Sequence, residues 1–304
     1  MSKASIMSYG GGAHYLKRDP ASVGFNKEIV IEKLLLFSAM VSVAAIGLII
    51  FFIFSKGLPL IAKVGVINFL FSTNWDPTNG QFGIATMIVG SLAVTLGALV
   101  WGVPLGLALS IFLAEVAPPK IGNAMSSMVE LLAGIPSVVY GFFGLVIIVP
   151  VIRNYFDGPG LSILAGAIIL GIMILPTIVN IARDALKAVP KEYKEGSLAL
   201  GATHWQTITK IMLPTARSGI IAAIVLGMGR AIGETMAVVL VTGNVTAMPN
   251  SILSPARTLT SNVVLEMGYA SGDHQLALFA TGTVLFIFVV LMNVVVTASL
   301  KARD

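Results

Sequence analysis

Two oppositely charged side chains, Arg230 and Glu234, stand inside an otherwise uncharged stretch and are the residues best placed to do chemistry. Residues 219–241 have the length that a helix needs to cross a bilayer, about 20 residues. Arginine near the membrane midplane costs about 2.5 to 3.5 kcal/mol on insertion scales, so it normally faces a polar cavity or a partner. Their spacing of four residues predicts that both side chains lie on one face of a helix.

Two roles are open for this pair. As a structural ion pair, Arg230 and Glu234 would neutralise each other and pin two helices together. As part of a solute path, the two side chains would line a passage for a charged solute. Ionisable residues inside membranes mark solute paths by default, so we expect the second role, with Thr235 beside them on the path.

The composition indicates the environment of the whole chain. Of its 304 residues, 56% are hydrophobic and 11% are charged, and the mean hydropathy is +0.93. Soluble domains carry about 25% charged residues, so we expect an integral membrane protein. Six apolar segments have the lengths of helices rather than of barrel strands, which predicts an all-α fold with six transmembrane helices. These segments are residues 34–54, 84–113, 125–152, 161–181, 219–241 and 276–300.

Lysine and arginine are distributed unevenly between the connecting segments. They gather near both termini and in residues 184–218, whereas the alternate connections contain only Lys56, Lys63, Arg153 and Arg257. Because basic residues favour the cytoplasmic side, both termini and residues 184–218 are predicted to be cytoplasmic. This distribution argues against nucleic acid as the reason for the net charge of +5. We expect residues 1–26 to form a mobile cytoplasmic tail and residues 27–304 a single transmembrane domain.

Several kinds of chemistry find no support in the sequence. There is no cysteine, and the three histidines are scattered, so neither a thiolate nor a metal site is expected. No GxxxxGK[ST] phosphate loop occurs, so the chain is not expected to hydrolyse ATP. We therefore predict no catalytic residue, no metal and no bound cofactor.

The cytoplasmic segment 184–218 is too long and too amphipathic for a simple turn. Pro190 ends one helical piece, and Gly201 interrupts the next. An apolar stripe follows on a short helix predicted to stop before Pro214. The stripe consists of Trp205, Ile208, Ile211 and Met212. Such a stripe must be covered by the bilayer surface, by the chain's own helices or by a soluble partner.

The same segment carries a recognisable motif. In permease subunits of ATP-binding-cassette importers, a cytoplasmic loop reads Glu-Ala-Ala, three residues, Gly, nine residues, Ile-x-Leu-Pro. Glu195, Gly201, Ile211, Leu213 and Pro214 fit this spacing, while Gly196 and Ser197 replace the two alanines. EGSLALGAT followed by GRAIGETMAV resembles the phosphate-specific branch. Further similar pieces are residues 75–77, 103–106, 131–137 and 232–235.

The resemblance implies a type I importer permease, not itself an enzyme, that forms half of a phosphate path in the inner membrane of a prokaryote. It implies that a coupling loop docks on an ATPase subunit through Glu195, Gly196, Ser197, Gly201, Trp205, Ile211, Leu213 and Pro214. It also implies a second permease, two ATPase copies that bind ATP and Mg²⁺, and an external phosphate-binding protein.

Other functions remain open at this point. A permease for another oxyanion, such as sulfate, molybdate or phosphonate, fits the same residues. From different classes, an ion-coupled secondary carrier and a membrane anchor for a phosphate-sensing complex are also possible. The missing inverted repeat and the coupling-loop motif both argue against the secondary carrier.

Overall fold

The structure, a computed structural model, describes residues 25–156 and 158–301, and most of these residues are helical. The helices are α1 Phe25–Val64, α2 Val66–Phe71, α3 Ala85–Ile111, α4 Pro119–Gly134, α5 Ser137–Phe143, α6 Val149–Tyr155, α7 Ile163–Lys187, α8 Lys191–Ala199, α9 His204–Thr207, α10 Leu213–Thr215, α11 Arg217–Gly233, α12 Met236–Val241, α13 Leu259–Glu266 and α14 Gly272–Lys301. The expected tail, residues 1–26, lies outside the described residues except for its last two, which begin α1.

Shorter elements complete this order. Strands β1 Trp75–Asp76 and β2 Gln81–Phe82 form an antiparallel hairpin around a 3₁₀ turn, Pro77–Asn79. Three π-helical segments, Phe112–Val116, Gly144–Ile148 and Ile208–Met212, continue α3, α5 and α9 without a break. The third segment joins α9 to α10, so residues 204–215 form one helix.

Long apolar helices confirm the expected membrane architecture. Within the described residues, five are long and apolar enough to cross a bilayer: Ile29–Val64, Ala85–Val116, Ser137–Tyr155, Ile163–Lys187 and Gly272–Ala298. A sixth span is present if two helices bent by 71° count as one crossing: His204–Thr215 and Arg217–Gly233.

The third predicted segment, residues 125–152, is not one continuous helix. Helix α4 ends at Gly134, Ile135 is extended (φ −70°, ψ 127°), and α5 begins at Ser137. Pro136 explains the break, because proline cannot donate the next helical hydrogen bond and pushes its predecessor into extended backbone.

Two compact units divide the chain. Residues 1–51 form the first, whose described part is the beginning of α1 with its mostly exposed apolar side chains. Residues 52–304 form the second and contain all the other elements.

Helix α7 is the core of the second unit and packs against α3 and α11. Glycine allows the close approach: a Cβ on Gly171 would lie 2.1 Å from the Trp101 ring, and one on Gly166 would lie 2.8 Å from Thr242. Small residues let membrane helices pack with their backbones close together. Because α7 packs against both helices, it positions α3 beside α11.

Candidate functional site

The helix that carries Arg230 ends at Gly233, before it reaches Glu234. Glu234 is extended (φ −70°, ψ 136°), and α12 begins at Met236. Its Oε1 accepts a hydrogen bond of 3.3 Å from the Ala237 N–H, and its carbonyl oxygen accepts one of 3.0 Å from Thr260 Oγ1. The expectation that Arg230 and Glu234 share the face of a continuous helix is therefore wrong, because the helix ends between them.

Arg230 lies in the last turn of α11, with its side chain exposed in this single chain. Among the described residues it forms no ion pair, to Glu234 or to any other carboxylate. A cation in the last helical turn interacts favourably with the helix dipole. Arg230 also lies close enough to Tyr140 of α5 for its charge to act on the phenol. The guanidinium can therefore bind a solute anion or a group from a neighbouring subunit.

Buried hydroxyl groups surround a small crevice beside Glu234, between α3, α11 and α13. Thr258 and Thr260 lie 3.0 Å apart through their Oγ1 atoms, and Ser91 Oγ accepts a 2.9 Å hydrogen bond from the Leu259 N–H. Thr95, one turn after Ser91, also lines the crevice. The four hydroxyl side chains are at most 7% exposed. Sequence reasoning missed them, and the only available signal was the pair of hydroxyls four residues apart in an apolar segment.

A second break lies between α4 and α5. Tyr140 Oη donates a 2.7 Å hydrogen bond to the carbonyl oxygen of Leu132, so a side chain bridges the interruption at Pro136. Helices α5 and α12 pack closely, because a Cβ on Gly141 would lie 2.8 Å from the Cα of Ala237. The two helices that resume after a break are thus direct neighbours.

The segment of residues 184–218 bends at Gly201, as predicted. Helix α8 ends at Ala199, and Gly201 has the left-handed backbone (φ 87°) that favours glycine. A capping box then begins α9: Thr203 Oγ1 accepts from the Gln206 N–H, and the Gln206 side chain accepts from the Thr203 N–H.

The predicted coupling residues divide into covered and exposed groups. Of the apolar stripe, Ile208 and Met212 are buried by the chain's own helices, whereas Trp205 is 64% exposed. The helix continues through Pro214 to Thr215, so the predicted stop before Pro214 is wrong. The remaining motif residues are exposed at Glu195, Gly196, Gly201 and Pro214, and half-buried at Ser197, Ile211 and Leu213.

Charged and histidine side chains do not gather into a metal site in the part of the chain that the structure describes. The candidate site is a set of polar donors and acceptors at the α11–α12 break, together with the exposed surface of residues 184–218.

Comparison with known proteins identifies the family. Residues 106–303 match the family described as "Binding-protein-dependent transport system inner membrane component". The chain is 44% identical over 267 residues to the probable ABC transporter permease protein YqgH of Bacillus subtilis, covering 84% of this chain and 86% of that protein. It is 37% identical over 241 residues to the phosphate transport system permease protein PstC of Xylella fastidiosa, covering 73% and 74%.

Solved structures of ABC importers share the fold. An inward-facing MetNI methionine ABC transporter matches with a TM-score of 0.59 at 21% identity, over 76% of this chain and all of that one. A bacterial ABC transporter that imports the acidic polysaccharide alginate matches with a TM-score of 0.63 at 15% identity, over 90% and 98%. The expected all-α type I importer permease fold is thus confirmed. By its sequence relatives and its apolar helices, the chain belongs to the family of binding-protein-dependent inner-membrane transport components and is a multi-pass permease subunit of the ABC type.

Proposed function

We propose that this chain is the PstC-like permease subunit of an ATP-driven phosphate importer. It forms half of the path and transmits ATPase motion through residues 184–218. The observation that carries the proposal is the similarity along most of the chain to relatives named as phosphate transport permeases.

The residues at the α11–α12 break suit this substrate. Phosphate at neutral pH carries one or two negative charges and keeps at least one proton. Arg230 offers a forked donor, and the Glu234 carboxylate can accept the P–OH proton while repelling an anion that has none. Thr235 and the nearby hydroxyls supply neutral donors and acceptors. A path must release its solute as well as bind it. The negative charge of Glu234 weakens the binding of phosphate to Arg230 and so favours release.

The proposed transporter complex has three further kinds of subunit: a PstA-like second permease, two PstB-like ATPase subunits with ATP and Mg²⁺, and a PstS-like external binding protein. The sequence printed above contains no phosphate loop of its own. The exposed Trp205 and Leu200, which is 91% exposed, offer an apolar surface for the ATPase. Both termini are proposed to be cytoplasmic, from the distribution of lysine and arginine.

Transport by the reconstituted complex tests the proposal. The chain would be expressed with its three partner types, and phosphate-stimulated ATP hydrolysis and radiolabelled phosphate uptake would be measured in vesicles. Stimulation by the binding protein loaded with phosphate, but not with sulfate, is expected. Uptake that persists with an ATPase-dead partner would instead indicate an ion-coupled carrier, and stimulation by sulfate, molybdate or phosphonate would indicate another oxyanion.

A further inference from the structure

Helix α8, which carries the start of the coupling motif, contacts the rest of the chain in an unusual way. None of its residues is buried. Its only half-buried side chains are Lys194 and Ser197, three positions apart and therefore on one face. Buried apolar side chains do not anchor α8. Its half-buried face instead makes two polar contacts, one through Lys194 and one through Ser197.

Lys194 makes the longer-range of these two contacts. Its Nζ lies 2.6 Å from Oε2 of Glu115. The Glu115 side chain is only 6% exposed, whereas that of Lys194 is 35% exposed. A buried carboxylate needs a partner, because burial without one carries the full cost of lost hydration. The second contact is local: Ser197 Oγ lies 3.0 Å from Oγ1 of Thr207, in α9.

Glu115 also lies near the helix on the other side of the Gly201 bend. His204 Nε2 is 3.8 Å from the same carboxylate oxygen. One acidic side chain thus faces basic groups from both α8 and α9.

Glu115 belongs to the π-helical segment Phe112–Val116, which continues α3 without a break. Helix α3 runs from there to Ser91 and Thr95, which line the crevice beside Glu234. A push on α8 can therefore act on a helix that borders the candidate path, in addition to acting through α9 and α10 on α11. An ion pair with a buried carboxylate suits this task better than an apolar contact, since it fixes one register between two elements.

We propose that the Glu115–Lys194 ion pair transmits movement of α8 to α3 and so couples ATP hydrolysis to opening of the path. The inference rests on the proposed function, because it requires an ATPase seated on the exposed face of α8. Glu115 and Lys194 act here as positioning residues and do not contact the transported anion.

The test uses the complete complex in proteoliposomes, with inorganic phosphate as the probe. The variants are Glu115→Gln, Lys194→Met and the charge swap of Glu115→Lys with Lys194→Glu. Matched controls are Glu130→Gln and Lys120→Met, whose side chains are exposed outside α8. The readout is the number of phosphate ions taken up for each ATP hydrolysed, alongside assembly of the complex.

In each single variant, uptake per ATP is expected to fall by about fivefold or more, the lower end of typical coupling between sites. The charge swap should restore most of the ratio, and the two controls should leave it unchanged. A fold-stabilising role alone would change assembly without changing this ratio in the complexes that do assemble.

Three results would overturn the inference. In the first, the Glu115→Gln complex takes up as much phosphate per ATP as a functioning wild-type complex. This result would leave the proposed function intact. In the second, the single variants fail to assemble, and the charge swap either restores assembly without restoring uptake per ATP or restores neither assembly nor uptake. In the third, the wild-type complex shows no phosphate-stimulated hydrolysis, which overturns the proposed function as well.

Discussion

The indole Nε1 of Trp75 donates a 2.9 Å hydrogen bond to Oε2 of Glu266, across 191 residues of sequence. The same carboxylate contacts Arg257 and His274, and it is only 7% exposed. Trp75 begins the hairpin after α2, and Glu266 ends α13. A single acidic side chain therefore ties the hairpin, the loop before α13 and the start of α14 into one cap.

This arrangement predicts a pH-dependent stability for the cap. Burial by itself raises the pKa of Glu266, but hydrogen bonds from Trp75, His274 and Arg257 and the Arg257 charge outweigh it, so the pKa lies below its usual value of 4.5. A carboxyl whose pKa is lowered by folding stabilises the protein above its unfolded pKa, and this stability is lost as the pH falls through the folded pKa. The stability contributed by Glu266 is therefore lost below pH 4.5.

We expect Glu266→Gln to destabilise the protein at neutral pH by about 3 kcal/mol, because it leaves the Arg257 charge without its partner. Thermal unfolding of the purified chain, followed by tryptophan fluorescence, measures the effect. The gap in Tm between wild type and variant should stay constant above the unfolded pKa of 4.5 and narrow as the pH falls below it. A gap that stays constant below this pH as well would contradict the role of the carboxylate charge.

Gly171→Ala should weaken the packing between α3 and α7. The new methyl group would lie 2.1 Å from the Trp101 ring, which must move and give up its 3.2 Å hydrogen bond to the Ala167 carbonyl oxygen. Overpacking of this kind costs about 1 to 3 kcal/mol. Gly229→Ala is the matched control, since a Cβ there meets no atom within 4 Å. Equal Tm values for the two variants would show that the packing tolerates the added methyl group.

Gly201→Val should uncouple ATP hydrolysis from uptake. Valine in the left-handed backbone of Gly201 costs about 1 to 3 kcal/mol, so the bend between α8 and α9 should change its geometry. Insertion of the chain should not change, because the bend lies outside the apolar spans. Gly268→Val, which lies outside the coupling loop, is the control for an added side chain without backbone strain, since a Cβ there meets no atom within 4 Å. Wild-type uptake by Gly201→Val would show that the bend is dispensable.

Arg230→Gln should reduce phosphate uptake by about tenfold or more, because a hydrogen bond to a charged group contributes about 1.5 to 3 kcal/mol. Arg230→Lys should retain part of the uptake, since lysine keeps the charge and loses the fork. Glu234→Gln should slow release or admit sulfate. If Arg230→Gln transports normally and the double variant with Glu234→Gln is merely less stable, the two residues are structural.

Labelling of single cysteines in this cysteine-free chain tests the orientation. Asn250 and Ala199 are both exposed, one in the loop after α12 and the other at the end of α8. Asn250→Cys should react with an impermeant thiol reagent added to whole cells, whereas Ala199→Cys should react only after permeabilisation. The opposite pattern would reverse the proposed orientation.

The sequence predicted the elements better than it predicted the interruptions within them. The length of the apolar segments was enough to locate the spans, and Gly201 indicated the bend after α8. The break at Pro136 carried a visible signal, a proline within an apolar stretch. The break at Glu234 carried almost none, and the partner of its carbonyl oxygen, Thr260, lies 26 residues further along.

Long-range polar contacts were beyond sequence reasoning for a similar reason. Glu115 and Lys194 stand 79 residues apart, and each looks like an ordinary charge at the membrane surface. His204 and His274 likewise resemble loop histidines, although one lies near Glu115 and the other contacts Glu266. The folded arrangement of the helices, rather than any pattern in the sequence, brings such pairs together.

The hydrogen bond from Tyr140 to Leu132 has a mechanical consequence. A continuous helix resists bending because backbone bonds must be broken, but at Pro136 the ladder is already open and a phenol holds the two halves together. Rotating that ring away would remove this link without breaking a backbone bond inside α4 or α5, and it would leave α4 positioned by its packing on α7. Because α5 packs against α12, a change of angle at Pro136 can be accommodated at the neighbouring break at Glu234.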